Sequence, residues 1–403
     1  MSVTTALPSR SAVRTRGAFG FILVVAAVLV MMIGAAAPSP FYPVLQQELG
    51  FSAATMTAIF GVYAIALLVT LLLAGSISDH IGRRPVISGG FVVLAASMIA
   101  FWHADSVSML FAARIVQGVS AGLLMSSLSA AVVDLEPPKR PGAAASLNSI
   151  SPLGGLAIGA LLSGLLLDHS SSALATVFGG ITAVSLVIAA AVWLLPETSP
   201  RHEGVLRSLI PRVGVPAAAR APFLRSSPAL LAGWATGGLY LSLGAPLSAQ
   251  ELGGSSHLEQ GLVVTVLTGT GSLTCYLVRQ WTPRRITIVG TTALAVGTAL
   301  TLVALAAGSY LGFLAAAVIA GSGFGASFLG IMRSVTPAAA PHQRGELFAA
   351  VFVVSYLAFG IPAVLAGIAA PHIGLAETTF IYGGAVVVLS ASAAVLRRFG
   401  STD

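Results

Sequence analysis

Twelve apolar runs of about 20 residues follow one another along this chain, each long enough to cross a bilayer as a helix at ~1.5 Å rise per residue. They lie near 18–38, 52–74, 86–102, 107–131, 143–167, 173–195, 228–247, 260–278, 286–307, 310–332, 346–370 and 378–396. Hydrocarbon offers no partner to a backbone N–H or C=O, so such runs become helices or strands of a closed barrel. The 44 glycines and the lack of polar–apolar alternation argue for closely packed helices. Charge points the same way. Only 8% of the 403 residues are charged and 56% are hydrophobic, whereas a soluble domain carries about 25% charged residues. One water-soluble core cannot hide that surplus. Soluble multidomain, disordered and nucleic-acid-binding chains are excluded, the net charge of +7 notwithstanding. A single cysteine, Cys275, permits neither an intrachain disulfide nor a metal cluster. The expected fold class is an all-α integral membrane protein.

The first run follows Arg10, Arg14 and Arg16 and ends at Ala35-Ala36-Ala37, the outline of a secretory leader. Its apolar stretch exceeds the ~7–15 residues of a leader core, and eleven further runs follow, so it reads as a retained first helix. Alternating the loops between two sides sorts the basic residues. Arg10, Arg14, Arg16, Arg83, Arg84, Lys139, Arg140, Arg201, Arg207, Arg212, Arg220 and Arg225 share the N-terminal side. Arg279, Arg284, Arg285, Arg333, Arg344, Arg397 and Arg398 join them. That is nineteen of the twenty Lys and Arg; the opposite side holds none, and Arg114 lies inside a run. Positively charged loops stay in the cytoplasm, which puts both termini there.

Residues 196–227 form the longest connection, rich in Arg and punctuated by Pro200, Pro211, Pro216 and Pro222. They divide the chain into two six-helix halves, 1–195 and 228–403. Gly118, Gly122, Pro138, Gly142 and Gly164 recur as Gly321, Gly325, Pro341, Gly345 and Gly367, all at one offset of 203 residues. Five matches at one offset mark a duplicated half, the arrangement of one class of secondary transporter.

After the second run the chain reads Gly75-Ser76-Ile77-Ser78-Asp79-His80-Ile81-Gly82-Arg83-Arg84-Pro85. This resembles the signature loop of the major facilitator superfamily. Asp79 places a negative charge where it can meet Arg83, Arg84 or the positive end of a facing helix. Gly75 permits close helix contact and Gly82 a tight turn. The resemblance implies twelve transmembrane helices in two pseudo-symmetric six-helix bundles. It also implies that the loop latches the bundles on the cytoplasmic side in the outward-open state, with the aspartate facing the eleventh helix. The second-half copy, Arg279 to Arg285, keeps arginines but lacks the aspartate, so any latch is asymmetric.

The fourth run carries Arg114-Ile115-Val116-Gln117-Gly118 with Gly122 beyond, similar to a motif of the family's drug:proton antiporters. A mid-helix arginine costs about 2.5–3.5 kcal/mol even on the lenient insertion scale, so Arg114 is expected to face the bundle interior or a wet cavity. Gln117 lies one turn along on the same face. Functional and structural roles both fit, and the functional one is favoured. In the fifth run Gly159-Ala160-Leu161-Leu162-Ser163-Gly164 resembles the antiporter signature, with Ala160 replacing its proline and Ser163 a glycine. Gly155 and Gly159 form a small-residue packing face. Asn148, Ser151 and Pro152 are candidates for polar lining. Pro38-Ser39-Pro40-Phe41-Tyr42-Pro43 and Pro196-Glu197-Thr198 also resemble segments of bacterial members.

The function this implies is secondary active transport, most simply efflux of small amphipathic or hydrophobic compounds from a bacterial cytoplasm by a monomer, driven by protons. No ATP-handling motif, cofactor motif or metal-ligand spacing is present in the sequence. Alternatives are an importer of a sugar or small organic acid, and a membrane-embedded enzyme. As in the family, the first, fourth, seventh and tenth runs should line the cavity. The candidates are Met31, Met32, Gln117, Met125, Asn148, Trp234, Tyr240, Phe324, Phe328 and Tyr356, since Met and aromatic residues repack around varied ligands. Three coupling routes stay open: a proton path gated by Arg114, an acid at a helix end such as Asp134 or Asp168, or none.

Overall fold

Each backbone donor in hydrocarbon needs an acceptor within its own segment, and the apolar runs meet that need as helices. The computed structural model describes residues 10–340 and 343–399, with side chains from Ala18 onward except Arg207 and Phe399. Both chain termini, Pro341 of the repeat and the side chains of Arg10, Arg14 and Arg16 lie outside the described residues. The long helices are α1 Arg10–Ala36, α2 Ala53–Ala74, α3 Arg83–Trp102, α4 Val107–Asp134, α5 Ala143–His169 and α6 Gly180–Ala191. They continue as α7 Ala217–Gln250, α8 His257–Leu277, α9 Pro283–Ala306, α10 Tyr310–Val335, α11 Arg344–Ile373 and α12 Leu375–Phe399. A π turn at Ala175–Gly179 and a 3-10 turn at Val192–Leu194 extend α6 at its two ends. No strand occurs among the described residues.

Ten of these segments are long and apolar enough to cross a membrane. α7 and α8 match them in length but are diluted by glycine, serine and threonine. α7 begins at Ala217, so the last part of the 196–227 connection is helical rather than loop. The cause is local: Pro216 supplies an extended entry, and Ala217-Ala218-Ala219-Arg220-Ala221 is a strong helix former. The rest of the connection contains only the short helix Val205–Ser208.

Glycine sets the helix spacing. A Cβ on Gly118 would lie 2.6 Å from the Tyr63 carbonyl oxygen and one on Gly122 2.8 Å from that of Leu67, so α4 rests backbone-to-backbone on α2. Their counterparts at the repeat offset behave alike. A Cβ on Gly321 would meet Leu267 at 2.9 Å and one on Gly325 would meet Gly271 at 2.7 Å, seating α10 on α8. Gly155 and Gly159 bring α5 equally close to α1. One core cluster draws only on residues between Phe21 and Leu195, and another only on residues between Ala232 and Val386. A third joins α2, α7 and α11 across the middle through Phe60, Tyr63, Leu241, Tyr356 and Phe359.

The first and last six helices meet along two seams. At the end remote from the 196–216 linker, a Cβ on Gly164 of α5 would lie 2.6 Å from the His257 carbonyl oxygen of α8. A Cβ on Gly367 of α11 would lie 2.6 Å from Cβ of Thr57 of α2. Asp168 reinforces the first seam: its carboxylate accepts from the backbone N–H groups of His257 (2.9 Å) and Leu258 (2.8 Å) and pairs with the His257 ring at 2.8 Å. That carboxylate satisfies donors which the first turn of α8 leaves open.

Candidate functional site

Toward the linker end the halves part around a cavity of about 350 Å³. α1 contributes Met31 and Met32, α4 Met125, and α5 Asn148. Trp234 of α7 faces Phe324 and Phe328 of α10 and Tyr356 of α11. Trp234 is the hub of an aromatic cluster, with ring centroids 4.9 Å from Tyr356, 5.6 Å from Phe328 and 6.0 Å from Phe359. No charged side chain lines the cavity among the described residues. Its walls are aromatic rings, thioethers and aliphatic side chains such as Leu153, Leu156 and Leu241, with Asn148, Ser129, Ser149 and Ser327 as sparse polar points.

Eight of the ten expected lining residues are there, and Tyr240 and Gln117 are not. Tyr240 turns into the core of the last six helices, where its hydroxyl meets that of Thr301 at 3.0 Å and its ring packs on Phe313. The reason is angular: Tyr240 is six residues past Trp234, about 120° around the helix, whereas Leu241 returns to Trp234's face and lines the cavity. Ser151 is likewise buried, and its neighbour Ser149 lines the space. Phe60, Tyr63, Phe352 and Phe359 were missed. The available signal for the last two was the stripe Phe352–Tyr356–Phe359 at helical spacing, readable equally well as core.

Arg114 lies one layer behind the cavity and is 1% exposed. Its Nε donates to the Tyr42 hydroxyl, and Nη1 donates to Gln117 Oε1 and, at 3.4 Å, to the Ala35 carbonyl. Gln117 in turn donates to the Gly34 carbonyl at 2.8 Å. Gly34 and Ala35 are in the last turn of α1, whose carbonyls have no partner further along the helix. A cation there meets the negative end of the helix. The rings of Tyr42, Tyr63 and Phe101 surround the guanidinium at 5.2–5.4 Å, adding cation–π attraction. Arg114 thus faces the bundle interior and touches the cavity only through Tyr63 and Ala35.

The signature loop closes on its own half. Arg83 pairs with Asp79 at 2.5 Å and with Asp134 at 3.3 Å. Arg84 is not a partner of Asp79; its Nε lies 3.7 Å from Glu197 and its Nη1 donates to the Leu195 carbonyl at 3.0 Å. Glu197 also accepts from the backbone N–H groups of Arg83 (2.8 Å), Arg84 (3.3 Å) and Ser199 (3.0 Å), so it caps α3 from across the loop. Gly82 fits this arrangement twice, with φ of +119° and with a would-be Cβ 2.7 Å from Glu197 Oε2. Burial raises the Glu197 carboxyl, but the Ser199, Arg83 and Arg84 N–H groups and the Arg84 charge outweigh it and hold it below its ordinary range. Among the described residues the Asp79 side chain forms no hydrogen bond or ion pair with α11, which meets α2 at Gly367 and Thr57 at the remote end. Gly75 closes the final turn of α2.

The sequence profile described as the Major Facilitator Superfamily matches residues 24–363. The chain belongs to this superfamily. As such it is a multi-pass membrane protein. This superfamily member is 29% identical over 153 residues, 38% of its length, to the puromycin resistance protein pur8 of Streptomyces alboniger. It is 29% identical over 139 residues, 34% of its length, to multidrug resistance protein 2 of Bacillus subtilis. To the quinolone resistance protein NorA of Staphylococcus aureus it is 22% identical over 110 residues, 27% of its length. The matched stretches span only 28–35% of the lengths of these relatives.

Proposed function

We propose that this protein is a secondary active transporter that exports small amphipathic or hydrophobic compounds by alternating access, driven by a proton gradient. The observation that carries this reading is the charge-free cavity of about 350 Å³ between the two halves, walled by aromatic and methionine side chains. Burying roughly 200 Å² of apolar ligand surface is worth about 5 kcal/mol at ~25 cal/mol per Å², and such walls offer that to many shapes. The kinship with proteins named for puromycin, multidrug and quinolone resistance supports the substrate class.

On this reading all twelve helices cross the bacterial cytoplasmic membrane, with 1–195 and 228–403 as moving bundles and both termini in the cytoplasm. The cavity then opens inward, and the glycine seams and Asp168 form the outer closure. In the opposite state Asp79 reaches α11 and the cytoplasmic side closes. Arg114 and Gln117 hold the end of α1 that carries Met31 and Met32, so they position the pocket. The protein works as a monomer.

The test is transport in proteoliposomes under an imposed pH gradient, with a lipophilic dye, a sugar and an organic acid compared side by side. Gradient-driven accumulation of the dye in vesicles oriented with the cytoplasmic face outward is expected, and Trp234→Ala should abolish it. Accumulation of sugar or organic acid without dye transport would overturn the assignment.

A further inference from the structure

The loop between α8 and α9 contains arginines to which the transport cycle above assigns no role. Arg284 and Arg285 stand exposed at the start of α9, and its Nη2 ties Arg284 to the Arg398 carbonyl at 3.4 Å. Arg397, donating to the Ser226 hydroxyl, has Arg225 and Arg284 close enough to repel it. Among the described residues none of these five arginines forms an ion pair, and Arg397 Nε is buried with no acceptor. The topological charge bias explains why arginines lie on this side. It does not explain their convergence from α7, α9 and α12 without a counter-charge, since like charges brought together repel.

The surroundings indicate what supplies the missing charge. Thr282, Arg284, Arg285, Ile288 and Val289 outline a shallow cleft of about 250 Å³ on α9. Its upper part is cationic and its lower part, one turn along, is apolar, with Val289 42% exposed. Arg285 lies over the Trp281 ring at 4.1 Å, the aromatic type that settles at a headgroup boundary. We propose that this cleft, with Arg225, Arg397 and Arg398 beside it, binds the phosphate of an anionic membrane lipid, whose acyl chain runs down over Ile288 and Val289. Arginine forks suit a phosphodiester, because paired N–H donors meet paired oxygens. The inference does not depend on what the protein transports.

Native mass spectrometry and thermal unfolding of the purified full chain in detergent test it. The probes are dioleoyl phosphatidylglycerol, dioleoyl phosphatidylcholine and sodium phosphate. Phosphatidylglycerol should give a retained adduct and raise Tm by about 3 °C through preferential binding to the folded state. The other two should do neither. The double variant Arg284→Gln/Arg285→Gln should lose adduct and rise together, while Arg284→Lys/Arg285→Lys, which keeps the charge but not the paired donors, should retain part of both. Asp403, outside the described residues, is the chain's own alternative anion, and Asp403→Asn should leave the response unchanged. The proposal is overturned by equal binding of phosphatidylcholine or by an equal response to free phosphate. It is also overturned if the Gln variant responds fully, or if Asp403→Asn binds phosphatidylglycerol several-fold more tightly.

Discussion

The two loops that turn the chain back at the linker end, between α2 and α3 and between α8 and α9, solve one electrostatic problem in opposite ways. In the first, Arg83 and Arg84 are matched by Asp79 and Asp134 from the first half and by Glu197 at the start of the linker. In the second, Arg279 stacks on Tyr276 at 4.0 Å, Arg285 on Trp281, and Arg333 donates to the Arg279 carbonyl at 2.6 Å, without an acid. The start of α3 is capped by Glu197, whereas α9 begins at Thr282–Pro283 with no side-chain cap. Gly118 and Gly321, 203 residues apart, thus make the same kind of backbone contact, while the charges of the two loops differ. Packing constrains a glycine through its immediate neighbours, but a surface arginine accepts any nearby electron-rich group.

The largest test of this contrast is Glu197→Gln. It removes the charged acceptor of three backbone donors and the partner of Arg84, at a cost of about 2 kcal/mol. Thermal unfolding should drop by several degrees, whereas Thr282→Ala should change stability by less than about 0.5 kcal/mol. Equal losses would erase the difference between the loops.

Acidification gives a second, somewhat smaller effect. Glu197 is held below its ordinary value of 4.5, so the stability it contributes is present above that value and lost as pH falls through the lower, folded value. Tm of the native protein should therefore fall more steeply as pH drops below 4.5 than that of Glu197→Gln. Arg284→Gln should follow the native profile. A native slope no steeper than that of Glu197→Gln would remove Glu197 from the electrostatics of the loop.

Asp79→Asn should cost less, within about 1 kcal/mol, because the pair is part-exposed and Arg83 retains Asp134. Its effect is expected in transport instead, with less outward-open protein and less external labelling of a cavity cysteine. A large stability loss with native labelling would make Asp79 a purely local brace. Smallest of all, Arg285→Gln in lipid-free detergent should shift unfolding by under about 1 °C, since an exposed cation–π contact contributes ~0.5–1 kcal/mol at most. A larger shift would show that the acid-free loop is braced as firmly as the other.

Most of the helices were legible because apolar length is a one-dimensional property. The margins of α7 were not: Arg220 and Arg225 read as linker, although Pro216 and the alanines after it start a helix. Within the cavity, residue type found Met31, Trp234 and Tyr356, but type carries no angle, so Tyr240 was drawn in and Leu241 left out. The embedded charge of Arg114 marked a special position. What it serves, the bare carbonyls of Gly34 and Ala35, depends on a helix that ends at Ala36, 78 residues earlier in the chain, a fact with no local trace. Glu197 was visible only as part of a familiar exit segment, since capping α3 requires residues 83 and 197 to meet.

The seams at the end remote from the linker are built around Gly164 against a carbonyl and Gly367 against a threonine. Where Gly164 meets the His257 carbonyl, the two helices approach with no side chain of Gly164 between them. Opening a gap of about 0.5–1 Å there forfeits roughly a quarter to a half of each contact's attraction. Contacts of so short a range favour a seam that is either shut or parted over one held slightly ajar.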